Sequence, residues 1–393
     1  MKVLVYTEDN DLHSIYSVEN DEILTVENGT GKLVKALFEQ ADKNPNEIVA
    51  WCHKDIWTEE LVRDWSSLLN EDEFISFHPE LEKTRWSDLA YVDFTQPFVC
   101  SHEKENRFPM VIASSLAGAV YGKWLLEFKD LESENKLSFV LNVITYIGQK
   151  SGLKCYSEPK LLEGQKTYTE EQVTELDVLK LIATVKKKRW VWYYCMVQFF
   201  FNKRLPIFSA LRSLFKKTYV GKKLSVPLRT VKNILDKDDT IDVIIPTLGR
   251  AKYLKDVLED LAVQTLKPTR IIIVEQNPLE GSCSDLDFLT TESWPFEIDH
   301  EFIHQTGACN ARNMAIKKIK NKWSFFADDD VRIEKDLMEK AVNLCKHHDA
   351  GALNLAVYQK GESFDPNGRD CQWHAFGSGC SIVESKFAIN TFY

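Results

Sequence analysis

The sequence predicts two α/β domains joined by a basic helical segment, and three observations predict it. Short apolar runs alternate with amphipathic helical patterns in residues 1–164 and again in residues 239–393, which implies mostly parallel sheets covered by helices. Between Val178 and Leu235 there are fourteen Lys or Arg and no Asp or Glu. One apolar run, Trp323-Ser-Phe-Phe-Ala327, leads directly into Asp328, Asp329 and Asp330.

The 393 residues suggest two or three domains. With 44% hydrophobic and 27% charged residues the composition is that of a soluble globular protein. Nine cysteines without a CxxC pair argue for a reducing cytoplasm and against a disulfide framework or a zinc site. The first residues read as a strand, Val3–Tyr6, not as a signal peptide. No apolar run approaches the ~20 residues of a membrane span. Net charge is −10; without the basic segment the rest carries 35 basic against 59 acidic residues. An acidic protein with one basic insert implies a localised anionic partner.

In the first domain, residues 1–164, strands are expected at Lys2–Tyr6, Glu22–Val26, Glu47–Trp51 and Glu73–Phe77. Helices between them would bury Leu33, Val34, Leu37 and Phe38, then Leu61, Val62, Trp65, Leu68 and Leu69. A further helix carries Val140, Val143, Ile144 and Ile147, and Leu153–Tyr156 begins a last strand.

Residues 165–238 read as a basic, aromatic, helical linker. Lys186-Lys-Lys-Arg189 precedes Trp190-Val-Trp-Tyr-Tyr-Cys-Met-Val-Gln-Phe-Phe-Phe201, and Lys203-Arg204 follows. Ile207, Phe208, Leu211, Leu214 and Phe215 share a helical face, with Arg212, Lys216 and Lys217 elsewhere. Basic residues, aromatics and an apolar stripe fit a helix lying on an anionic membrane surface through residues 186–217. A helical spacer with its aromatics packed between two domains is the other reading. No recognition motif accompanies the charge, so no nucleic-acid partner is expected.

In residues 239–393 a strand from Ile241 reaches Pro246, and a small-residue loop carries Thr247, Gly249 and Arg250. A helix follows with Tyr253, Leu254, Val257, Leu258, Leu261 and Ala262 inward. The next strand, Arg270–Glu275, ends in an acid, and Phe296–His304 is a third strand. Asn310 is a candidate N-cap for a helix Ala311–Lys320 carrying Arg312 and Asn313 in its first turn. Then come Asp328–Asp330 and a helix from Glu334 to about Lys346. Three strands thus end in polar groups at one sheet edge, where open α/β sheets bind ligands. Adjacent acids at the end of a buried strand repel and resist desolvation unless a cation sits among them. Hard oxygen ligands suit Mg²⁺ or Mn²⁺ bridging carboxylate and phosphate. An acidic turn capping the next helix is the plainer alternative.

Four segments, Val243-Ile-Ile-Pro-Thr-Leu-Gly-Arg250, Ile273-Val-Glu-Gln-Asn-Pro278, Gly307-Ala-Cys-Asn-Ala-Arg-Asn313 and Phe326-Ala-Asp-Asp-Asp-Val331, together with Phe376-Gly-Ser-Gly-Cys380, resemble the family 2 glycosyltransferases of GT-A (Rossmann-like) fold over about 240–385. The resemblance implies transfer of a sugar from a nucleotide-diphosphate sugar to a saccharide or lipid-linked acceptor, with inversion. It implies nucleotide-sugar contacts from Pro246, Thr247, Arg250, Glu275, Arg312, Asp328 and Asp329. It places the metal on Asp330, and the donor-sugar and acceptor loop at Gly377, Ser378 and Gly379. Glu275 stands where the family usually has aspartate. The implied setting is surface polysaccharide synthesis at the inner face of the cell membrane; a non-catalytic nucleotide-sugar-binding scaffold is the alternative. His304 and the pair Trp373-His374 read as structural histidines in preference to ligands.

The first domain reads as a smaller, degenerate copy. Trp51-Cys-His-Lys-Asp-Ile56 aligns with Phe326–Val331, so His53 and Lys54 replace Asp328 and Asp329. Ser115-Leu-Ala-Gly-Ala119 falls where the second domain has Gly377–Ser381. From its acidic turn to its end the first copy is longer than the second. This implies that the second is C-terminally incomplete, that its general base lies beyond Tyr393, and that no catalytic carboxylate can be named.

Overall fold

The structure is a computed structural model that describes residues 1–25, 32–77, 84–92, 105–163, 172–226, 231, 233–359, 361–362, 370–372, 375–377 and 379–391. It divides into two compact units, Met1–Arg229 with Asn367–His374, and Thr230–Pro366 with Ala375–Tyr393.

The first unit is built on strands β1 (Lys2–Tyr6), β2 (Leu12–Ser17), β3 (Glu22–Thr25), β4 (Ile48–His53), β5 (Glu73–Ser76), β6 (Phe108–Pro109), β7 (Ala117–Tyr121) and β8 (Lys154–Ser157). Their order in the sheet is β3-β2-β1-β4-β7-β5-β8-β6. The sheet is mixed, not mostly parallel as the alternation suggests: β1 runs parallel to β4 and β5 to β8, and the other pairs are antiparallel. The difference arises at β2. A short turn over Thr7–Asp11, with Asn10 in the left-handed region (φ 60), folds β2 straight back onto β1. Its sequence, LHSIYS, has no long apolar run to mark it. Helices α1 (Leu33–Lys43), α2 (Glu59–Val62), α3 (Gly122–Leu126) and α4 (Leu137–Gln149) complete this part. All thirteen residues of α4 are buried; Asn142, Thr145 and Gln149 among them bond to the backbone of Ala113, Val111 and Met110.

The described helices of the basic segment belong to the same unit. They are α5 (Glu175–Val185), α6 (Arg189–Asn202) and α7 (Ile207–Ser213). A capping box opens α5: Thr174 accepts from the Asp177 backbone and Asp177 from that of Thr174. Val178, Leu179, Leu181 and Ile182 of α5, with Val191 and Tyr194 of α6, join the apolar core that α1 and α4 line.

The second unit contains β9 (Ile241–Thr247), α8 (Ala251–Ala262), β10 (Arg270–Gln276), α9 (Phe288–Thr291), β11 (Glu297–Ile303), α10 (Ala308–Ile316), β12 (Trp323–Ala327), α11 (Leu337–His347), β13 (Ala352–Asn354), β14 (Cys380–Glu384) and α12 (Ser385–Ala388). The sheet order is β11-β10-β9-β12-β14-β13; the first four strands are parallel, and β14 is antiparallel to both neighbours. Strands β9, β10 and β12 are buried throughout because helices cover both faces. On one face Val243, Ile245, Ile273 and Phe325 pack with Leu254, Val257, Leu258 and Leu261 of α8 and with Met338, Ala341 and Val342 of α11. On the other, Ile244, Ile272, Val274 and Phe326 meet Ala311, Ala315 and Ile316 of α10. At the far end from the strand tips a buried ion pair fixes the register. Asp242 accepts from Arg270 Nε (3.0 Å) and from the backbone N–H groups of Lys320 (2.7 Å) and Asn321 (2.9 Å).

Within each unit four strands share one plan. β1-β4-β7-β5 and β9-β12-β14-β13 have the same order and the same directions. The His53 N–H donates to the Leu116 carbonyl (2.7 Å) where the Asp328 N–H donates to the Gly379 carbonyl (3.0 Å). The units differ beside the first strand: the antiparallel hairpin β2–β3 stands where the second unit has parallel β10 and β11.

Candidate functional site: an acidic cleft at the strand tips

The carboxyl ends of β9, β10 and β12 and the start of α10 enclose a cleft of about 440 Å³. Its lining includes Pro246, Thr247, Arg250, Arg312, Asp328, Asp329 and Asp330, so seven of the sequence-predicted residues come together. Gly249, at φ +64, makes the tight turn from β9 into α8 that presents Arg250; a side chain there would strain the backbone.

The three aspartates differ in environment. Asp329 is buried (5% exposed) and turned into the fold. Its Oδ2 accepts from the buried Thr247 hydroxyl at 2.7 Å and its Oδ1 from Arg250 Nη1 at 3.1 Å. The same Nη1 donates to Asp330 Oδ2 at 2.6 Å. Asp328 Oδ1 accepts from Arg312 Nη2 at 2.6 Å. The Asp328 and Asp330 side chains remain 44% and 47% exposed. Burial raises the Asp328 pKa above the usual 3.8; Arg312 opposes that rise, and the charges of Asp330 and Asp329 add to it. The neighbouring Cys380 thiol is pushed up to about 11 by burial and by Asp328. The cleft therefore holds more negative charge than its two arginines neutralise.

The fold holds this arrangement from behind. Arg332, just past the aspartates, forms two bonds with Asp260 of α8 (2.7 and 2.6 Å), and the Ile333 N–H adds a third at 3.0 Å. Gln264 donates to the Glu334 carbonyl (2.7 Å) and accepts from the Met338 N–H (3.2 Å), which ties α8 to the start of α11. At Gly379 a Cβ would lie 2.8 Å from Asp328 Oδ2, so the absence of a side chain lets this loop close over the acid. Gly377 donates to Asn354 Oδ1 at 2.9 Å, and Phe376 meets Phe326 edge-on. Ser378, Trp373 and His374 lie outside the described residues.

Glu275 does not reach the cleft lining. It is buried, and its carboxylate accepts from Ser284 Oγ (2.5 Å) and the Asp285 N–H (3.2 Å), with His300 Nε2 at 2.9 Å. The next residue, Gln276, lines the cleft and accepts from the Gly307 N–H at 2.6 Å. Thr306, Gly307 and Ala308 also line it. The helix carrying Arg312 starts at Ala308 with Gly307 at its N-cap, so Asn310 lies inside its first turn and caps nothing. His304 is held by the Asn277 carbonyl at 2.9 Å.

The donor set can be tested against a divalent ion. Among the described residues the three aspartates do not bring their oxygens together as a protein cage. Two exposed carboxylates over a cleft suit Mg²⁺ or Mn²⁺ instead, since such ions use one or two carboxylates and complete their shell with phosphate and water.

A mixed sheet of order 3-2-1-4-6-5, with paired acids and arginines at its parallel strand tips, makes an α/β domain of the GT-A kind. Residues 242–384 match the family Glycosyl transferase family 2. The curated glycosyltransferase GlyG of Streptococcus pneumoniae serotype 4 is 24% identical over 151 residues, 38% of this chain and 48% of GlyG. GlyA of the same organism is 28% identical over 109 residues, 26% of this chain and 14% of GlyA. The chain thus spans about half the length of one of these curated relatives and a smaller part of the other. Similar solved structures include residues 1–349 of S. aureus TarS in complex with UDP-GlcNAc (21% identity, 32% of this chain and 37% of that one, TM-score 0.28). Another is the mannosyltransferase PcManGT of Pyrobaculum calidifontis with GDP-Man and Mn²⁺ (14% identity, 37% and 44%, TM-score 0.29).

Proposed function

We propose that the cleft binds a nucleotide-diphosphate sugar together with Mg²⁺ or Mn²⁺, and that the chain transfers the sugar, with inversion, to a hydroxyl of a saccharide or lipid-linked acceptor in surface polysaccharide synthesis. The observation that carries this reading is the under-neutralised acid cluster: Asp328, whose ionised form is disfavoured, beside exposed Asp330 and only two arginines. Cation binding relieves that repulsion, and a diphosphate brings the charge to hold the cation. Asp330, with Asp328 beside it, would hold the ion, which when bound stabilises charge on the leaving diphosphate.

The chain's own residues do the rest. Arg250 exchanges its bond with Asp330 for a phosphate oxygen while Thr247 keeps Asp329 in place. Arg312 orients Asp328 toward the ribose or sugar. The loop through Gly377 and Gly379 bounds the donor-sugar and acceptor side. Glu275, tied to Ser284 and His300, acts by shaping the wall behind Gln276 and not by direct contact. The four-strand plan shared by the two units supports reading the first as a copy that has lost the nucleotide half, with His53 at the position of Asp328. Peripheral attachment to an anionic membrane at the inner face of the cell, through residues 186–217, completes the proposal.

A second reading has one observation in its favour. Among the described residues lining the cleft, the only carboxylates are the three aspartates, so no separate general base is in view. A nucleotide-sugar-binding scaffold would share the binding site and lack turnover. Incubation of the purified chain with UDP-GlcNAc or GDP-mannose and Mn²⁺, scored for released nucleoside diphosphate, separates the two. Release that requires Mn²⁺ and Asp330 supports transfer; tight binding without release supports the scaffold; neither binding nor release refutes both.

A further inference from the structure

We infer that the outer faces of α6 and α7 form an aromatic wedge that inserts into the interface of an anionic bilayer, so that membrane attachment is largely apolar and resists salt. The inference stands apart from the nucleotide site and sharpens the attachment proposed for residues 186–217. Helix α6 buries Val191, Tyr194, Cys195 and Val197 and exposes Trp192, Tyr193, Met196, Phe199 and Phe200. These five follow the spacing i, i+1, i+4, i+7, i+8 and so occupy one helical face, while exposed Phe201 lies to its side near the end of the helix. After Lys203, whose left-handed conformation (φ 55) ends α6, the exposed apolar series continues through Leu205, Ile207, Phe208, Leu211 and Phe215. Phe201, Phe208 and Phe215 are 76%, 86% and 91% exposed. Large aromatics this exposed along one continuous segment mark an interaction surface, not ordinary scatter.

The surface is held in place before it meets a partner. Tyr194 donates to Asp88 at 2.9 Å, and the inward residues of α5 and α6 share one core. Charge identifies the partner. Lys187, Arg189, Lys203, Arg204 and Arg212 border the aromatic face, are exposed, and make no ion pair among the described residues. Lys216 and Lys217 are already engaged by Glu134 and Asp130, at 2.5 Å each. Five of the nine Lys and Arg of residues 186–217 thus make no ion pair among the described residues, and no acid lies within that stretch to repel a lipid headgroup. Aromatics flanked by free cations fit the headgroup–acyl boundary of an anionic leaflet. No helix of the described residues is long and apolar enough to cross a membrane, so the contact is with one face.

The test is co-sedimentation of the full chain with phosphatidylcholine vesicles, with and without phosphatidylglycerol, across a salt series. The expected result is binding to the anionic vesicles that weakens with salt but leaves a resistant fraction. The combined variant Phe200→Ser, Phe208→Ser, Phe215→Ser should bind about 10- to 100-fold more weakly and lose the resistant fraction, because the apolar area is gone. Lys187→Gln with Arg204→Gln should lower binding at low salt and keep that fraction. Complete release of the wild type by salt overturns the inference and leaves charge attraction alone. Absence of vesicle binding, with concentration-dependent self-association that the Phe variant abolishes, also overturns it and assigns the face to a second copy. Nucleotide-sugar affinity of the Phe variant, measured alongside, should equal that of wild type; this keeps the result independent of the donor site.

Discussion

Asp329 and Asp330 are adjacent, yet the first is buried and the second half exposed, and paired alanine variants test whether their roles divide accordingly. In Asp329→Ala the buried Thr247 hydroxyl loses its acceptor, which costs about 1–3 kcal/mol. The bond to Arg250, a half-exposed and solvent-screened side chain, adds little. Relief of repulsion from Asp328 and Asp330 returns part of this, so the net loss is about 2 kcal/mol. For a unit of this size that lowers the midpoint by roughly 4–8 °C. In Asp330→Ala a 47% exposed side chain is removed, whose ion pair is with the same half-exposed arginine. Stability should stay within about 0.5 kcal/mol of wild type, while metal-dependent nucleotide-sugar binding is lost. Differential scanning calorimetry and ligand titration on both variants give the four numbers needed. Equal destabilisation by the two variants, or unchanged stability in Asp329→Ala, would refute the claim that Asp329 is a structural acid.

Three further outcomes follow from the same geometry. Asp242→Ala leaves the buried Arg270 guanidinium without its main partner and should destabilise the second unit by about 3–5 kcal/mol, read from urea unfolding. Because the Asp328 pKa is raised, its ionised form disfavours folding at neutral pH and its protonation relieves that strain. Asp328→Asn should therefore not destabilise, and in wild type protons should displace the metal at a higher pH than at an ordinary aspartate. Titration calorimetry across acidic pH should show nucleotide-sugar affinity falling more steeply with acidification in wild type than in Asp328→Asn; the same pH dependence in both would contradict the shift. Gly379→Ala puts a methyl 2.8 Å from the Asp328 carboxylate, a flexible side-chain end that can yield. The fold should survive while affinity drops roughly tenfold, about 1.4 kcal/mol; unchanged affinity would place Asp328 outside the donor site.

Much of the second unit was legible because polar residues interrupt apolar runs at a fixed place. Pro246–Arg250 and Asp328–Asp330 each end a buried strand, and Arg312 lies in the first half of a helix that starts at the same edge, so parallel strands gather them there. Glu275 shows where that logic stops. It also ends a strand, but Ser284 from the following loop and His300 from the next strand satisfy it, and neither partner is visible from local pattern. Gln276, one residue on, takes its place in the cleft. In the first unit β2 was hidden because a short polar strand after a tight turn has no strong period. The basic segment looked uniformly available; long-range pairing of Lys216 with Glu134 and of Lys217 with Asp130 changes how much of its charge is free.

The proposed metal-dependent nucleotide-sugar site rests on Asp328 and Asp330 with Arg250 and Arg312. Isothermal titration of the full chain with a panel of nucleotide-diphosphate sugars, with Mn²⁺ and with chelator, tests it most directly. The expected result is saturable binding of at least one donor that needs the ion and vanishes in Asp330→Ala while that variant keeps the wild-type unfolding midpoint. Donor binding of equal strength in chelator, or in Asp330→Ala, would contradict it.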